Sequence, residues 1–134
     1  MALRTELDGL APRRQAERLV PIVQRIVSQL AGAEPDVTEA EAALAAIRAW
    51  AAGERATGRA FSDLIYSETE RGVLRRLSQA QGKASEGLWN ALTTATMYVA
   101  WLVYRETGEP MPSDVNEVDE DTLDLLDEQL HAQT

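Results

Sequence analysis

The residues with types and spacings that could do chemistry are few in this chain, and each set is incomplete. Asp114-Val-Asn116 opens like a calcium loop, in which alternate oxygen ligands surround a hard cation and a glycine makes the sharp turn. Here Asp119 stands at the turn-glycine position and Leu125 at that of the bidentate Glu, so the pattern fails twice. Glu128-Gln-Leu-His131 has the Glu-x-x-His spacing of di-iron bundles, which need two such pairs and further Glu from other helices. His131 is the only His in 134 residues. There is no Cys, hence no thiolate ligand or Cys nucleophile, and a Ser nucleophile would have only a terminal imidazole or a carboxylate as its base. Gly53 and Gly58 lack the Lys-Ser/Thr of a phosphate cradle. These readings predict no enzyme, no cofactor and no metal.

Charge is more informative. The formal net charge is −9, and it is unevenly placed. Residues 1–105 hold all 13 Lys+Arg and twelve of the 22 Asp+Glu; residues 106–134 hold the other ten acids and neither Lys nor Arg. Such a segment repels nucleic acid and attracts a basic partner. Glu117, Glu120, Asp121, Asp124, Asp127 and Glu128 are therefore the candidate partner-binding residues. Arg71, Arg75 and Arg76 have no flanking aromatics on which bases could stack, which also argues against nucleic acid. Arg13, Arg14, Arg18 and Arg25 fall on the wetter side of one helix and are expected to pair with acids elsewhere.

The elements that must position these residues read as helices. Ser85 to Thr107 is the organising one, capped by Ser85 and stopped by Gly108, Pro110 and Pro112. Leu88, Leu92, Ala95, Val99 and Leu102 recur at helical spacing on one face. Met97, Trp101 and Tyr104 form a second apolar stripe roughly opposite. A helix that is apolar nearly all round is either enclosed by others or turns its second face to a partner. A first helix is expected from Pro12 to Gly32, kinked or broken at Pro21, with Leu19, Ile22, Val23, Ile26 and Leu30 inward. Thr38 and Glu41 read as a capping box opening a second helix that ends near Gly53 with Trp50 as a core anchor. A loop with a short helix around Phe61, Leu64 and Ile65 follows. Ser67 and Glu70 read as another box, opening a helix with Gly72 inside it and Gly82 at its end. A last helix, about 119–131, faces Leu123, Leu126 and Leu130 inward and its acids outward. No run alternates at period two. The prediction is all-α, one domain over 1–134, five or six helices bundled around the central helix at about 85–107. The first ten residues do not read as a signal peptide, and Ala95 to Tyr104 is too short to span a bilayer, so no membrane association is expected.

From Trp50 to Leu126 the chain resembles the family called immunity protein six, small helical proteins encoded beside bacterial polymorphic toxins. The matching features are Trp50 closing an Ala-rich helix, Leu64-Ile65-Tyr66 in the next segment, the helix from Trp89 through Tyr98 to Tyr104, and then Pro112, Val115, Val118, Asp119 and Glu120. The N-terminal third contributes nothing to the likeness. The resemblance implies a cytoplasmic protein without activity of its own that binds and neutralises a cognate toxin domain. The acidic surface would then block a basic toxin cleft. The competing class is a helical interaction module without a toxin, such as a homo-oligomer formed through the Met97, Trp101, Tyr104 stripe.

Overall fold

The computed structural model describes residues 2–66, 72–80 and 82–132. Among them are eight helices: α1 (Leu3–Leu7), α2 (Pro12–Ala33), α3 (Thr38–Ala51), α4 (Gly58–Tyr66), α5 (Val73–Gln79), α6 (Lys83–Thr107), α7 (Ser113–Asn116) and α8 (Asp121–His131). No strand occurs among the described residues, and the class is all-α. The single-turn helices α1 and α7 are additions to the six longer segments that periodicity predicts; neither is long enough to show a 3.6-residue stripe.

The central helix α6 packs against α2, α4, α5 and α8, and more lightly against α3 and α7. Leu88, Trp89, Leu92, Ala95, Tyr98, Val99, Leu102 and Val103 are all buried, so burial covers most of its circumference. Its buried threonines would cost stability if left unpaired. The hydroxyls of Thr94 and Thr96 instead donate to the carbonyls of Asn90 and Leu92, 3.0 and 2.7 Å away, one turn back. The helix ends where Gly108 takes φ +75° and donates its N–H to the Tyr104 carbonyl at 2.9 Å. Its start lies earlier than Ser85: Gly82 at φ +90° releases the chain into Lys83, and Ser85 is buried in the first turn instead of capping it.

Of the kink or break expected at Pro21, the break does not occur: α2 is one helix through that position. Pro21 is on the solvent side, while Leu19, Val23, Ile26, Val27 and Leu30 are buried on the other face. Burial on both flanks of the proline outweighs the one lost hydrogen bond. The helix continues past Gly32 to Ala33, because the Glu34 N–H still reaches the Leu30 carbonyl at 2.7 Å. In α3, Ala40, Ala43, Ile47 and Trp50 are buried, and the alanines let α2 approach closely. The Thr38–Glu41 box does not form. Thr38 is the first helical residue, and Asp36 makes the turn by accepting both the Thr38 N–H at 3.0 Å and its hydroxyl at 2.7 Å. Gly72 stands just before α5 in extended geometry instead of inside a helix, and α5 ends at Gln79. The Ser67–Glu70 box lies outside the described residues.

Helix α4 is fixed at its start by two contacts across the fold. A Cβ at Gly58 would overlap the ring of Tyr104, so glycine allows α4 and α6 to touch. Glu109, just beyond α6, accepts the Gly58 N–H at 2.8 Å and the Thr107 hydroxyl at 2.6 Å. These bonds, the Gly58 one first, hold the Glu109 carboxyl below the usual carboxylate range.

Two expectations follow. Gly58→Ala should lower stability by roughly 1–3 kcal/mol, the usual range for overpacking, because the Tyr104 ring is buried and cannot swing clear; thermal unfolding checks this. Glu109→Gln should lower the melting temperature at neutral pH. Since the folded-state pKa is depressed, the ionised carboxyl stabilises above the unfolded value of about 4.3, and that stabilisation is lost as pH falls through the lower folded value. The gap between wild type and variant should therefore close in acid.

Candidate partner-binding surface

The six acidic residues predicted to face a partner are divided by the structure into two sets. Asp121, Asp124 and Asp127 are engaged by the N-terminus of the same chain. Arg4 on α1 reaches Asp121 at 2.9 Å and Asp124 at 3.1 Å, and the Leu3 N–H donates to Asp127 at 3.0 Å. Asp124 first and Asp121 second raise the Arg4 pKa above its ordinary value. Leu3 and Leu7 are buried, so α1 is anchored on α8 by apolar packing as well as by charge. Glu117, Glu120 and Glu128 are exposed and make no ion pair among the described residues. All six stand on α8 or its approach, where the Asp121 N–H donates to the Asp119 carboxylate at 2.8 Å and starts the helix. Leu123 and Leu126 are buried beneath them, and Leu125 is 46% exposed among them. Asp114 and Asn116 lie in the single turn α7, which is helical and does not form an ion-binding loop.

Helix α6 packs against α8, and its second apolar stripe is covered unevenly. Of the second apolar stripe, Tyr104 is enclosed by α4, with its hydroxyl 2.9 Å from that of Ser62. Met97 and Trp101 are only half-buried. Tyr66, at the end of α4 and 38% exposed, donates its hydroxyl to the Met97 sulfur at 3.4 Å. Burial raises the Tyr66 pKa, and the charge of Asp114 on α7 adds to the shift. Tyr98 flanks Trp101, ring centroids 5.4 Å apart. Its phenol, hydrogen-bonded to Gln15, is pushed up to about 12 by burial and by the nearby charge of Glu120. Asp114 thus acts at the Tyr66 end of this strip, and Glu120 lines a cleft with Tyr98.

Each of the three tryptophans carries an arginine over its ring, at 4.8 Å for Arg13 on Trp50, 5.0 Å for Arg76 on Trp89 and 4.6 Å for Arg105 on Trp101. Two of these arginines are tied down. Arg13 donates to the carbonyls of Trp50 and Glu54 and pairs with Glu106; Arg76 donates to the Asp36 carbonyl and lies beside Glu34 and Glu39. Arg105 is exposed and has no ion pair among the described residues. Arg4 and Arg105 were both missed as site residues in the sequence. Arg4 precedes any readable helix, and nothing in the spacing links Arg105 to Trp101 except their i, i+4 register.

Among the described residues no group of three or more His, Cys, Asp or Glu side chains converges as metal ligands would. His131 turns its Nδ1 to the Asp127 carbonyl at 2.8 Å. Clefts of about 370 and 280 Å³ flank α1, and the second, between Arg4, Gln15, Tyr98 and Glu120, is the more polar. No helix is long and apolar enough to cross a membrane among the described residues.

No curated protein and no solved structure matches the chain. A family model described as Immunity protein Imm6 matches residues 14–132, and so includes α2, which the resemblance read from the sequence had left out. With nearly its whole length matched, the chain belongs to the Imm6 immunity protein family.

Proposed function

We propose that this protein binds the toxin domain encoded beside its own gene and neutralises it in the cytoplasm by occupying a basic cleft, with no catalysis of its own. The observation that carries the reading is the family membership together with the placement of charge. The C-terminal segment holds ten acids and no Lys or Arg, and α7, α8 and the turn between them present Asp114, Glu117, Glu120 and Glu128 to solvent. A surface of one sign raises the rate of encounter with a partner of the other, and carboxylates can stand where an anionic substrate would lie. Asp121, Asp124 and Asp127 contribute in a second way, by holding α1 against α8 and fixing the surface that the free glutamates share.

The test is protection. Cells expressing the adjacent toxin domain should survive when this chain is co-expressed, and the purified pair should form a complex in which toxin activity is lost stoichiometrically. Survival should persist with Glu128→Gln alone and weaken when Glu117, Glu120 and Glu128 are changed together to Gln, with helix content preserved. Loss of toxin activity without a stable complex, or no protection by the wild-type chain, would contradict the proposal.

A further inference from the structure

Resting on the immunity reading, we infer that the energetic anchor of the interface is the half-open strip of Met97, Trp101 and Tyr66 on α6 and α4, and that its occupant is a basic protein surface presenting an apolar side chain. The three Trp–Arg pairs make the case by contrast. Trp50 and Trp89 are fully buried, and their arginines are locked by carbonyls and carboxylates, so those two pairs close the core. Trp101 is the one tryptophan left only partly buried, under the one arginine of the three with no ion pair among the described residues. Its ring meets the ring of Tyr98, centroids 5.4 Å apart, and carries the Arg105 guanidinium 4.6 Å from its centroid. A partly buried Trp packed against Tyr and Arg and beside Met is the composition of a binding hot spot, because little side-chain entropy remains to be lost on contact.

The rim selects the occupant. Asp114 on α7 acts on Tyr66 at one border, and Glu120 lines one cleft with Tyr98 at the other, two carboxylates against the single guanidinium of Arg105 over Trp101. A second copy of this chain would bring the same carboxylates and a formal charge of −9 against its own, which opposes self-association. A cationic protein surface meets the rim favourably, and the central strip then supplies the desolvated contact that rim charges alone do not.

The experiment uses the full-length chain and the toxin domain encoded beside its gene. Hydroxyl-radical labelling of the wild-type chain should show Trp101 and Met97 protected when the toxin domain is added. Trp101→Ala and Met97→Ala, each checked for unchanged helix content, should weaken binding, with Trp101→Ala costing about 30-fold or more, the hot-spot threshold. Gln24→Ala, at an exposed position on the solvent side of α2, should leave affinity within a few-fold. Toxin binding by the wild type with Trp101 labelling unchanged would overturn the anchor while leaving the immunity reading intact. Absence of any binding by the wild type would overturn both. Concentration-dependent protection of Trp101 in the free chain would overturn the assigned occupant in favour of a second copy.

Discussion

The structure depends on enclosing one helix. The α6 helix is apolar around most of its circumference, and water is a poor solvent for all of that surface at once. Every other feature of the fold answers to this. α2 lays its stripe along one side and runs through Pro21 without breaking; α4 closes over Tyr104 by having no side chain at Gly58; α5 and α8 cover what remains. The polar groups caught inside are paired locally, as the hydroxyls of Thr94 and Thr96 are with the turn behind them. One segment of the helix is left incompletely covered, at Met97 and Trp101.

Charge is arranged around that core with a similar division between structural and free groups. Arg13 and Arg76 secure loops and chain turns while covering tryptophans, and Arg4 holds α1 on α8 through Asp121 and Asp124. Exposed pairs of this kind are worth little one by one, and here they act together with the buried Leu3 and Leu7. Of the six C-terminal acids predicted to face a partner, Glu117, Glu120 and Glu128 are exposed and make no ion pair among the described residues.

Much of this was legible in the sequence because hydrophobic periodicity, glycine stops and charge are carried by residue type. The central helix, the buried Trp50 and the left-handed Gly108 needed no tertiary information. Caps were less legible. Ser85 and Thr38 had the right type, but the positive φ of Gly82 and the side chain of Asp36 made those turns instead. A break at Pro21 does not occur, because its local cost is readable whereas the burial of Leu19 and Val23 that outweighs it depends on partners distant in sequence. Among the acids, the distinction between the three held by α1 and the three left free was invisible, since Arg4 lies more than a hundred residues away from them. The enclosure of Tyr104 but not Trp101 likewise depends on where α4 crosses.

The central claim is that charge brings the partner to this surface. Stopped-flow association of the chain with the adjacent toxin domain, measured over a range of ionic strengths, tests it most directly. The account predicts a rate at low salt well above the roughly 10⁵–10⁶ M⁻¹s⁻¹ of unsteered encounters, falling steeply as the Debye length shrinks from about 30 Å at 0.01 M to about 8 Å at 0.15 M. A rate that does not change with salt would contradict it.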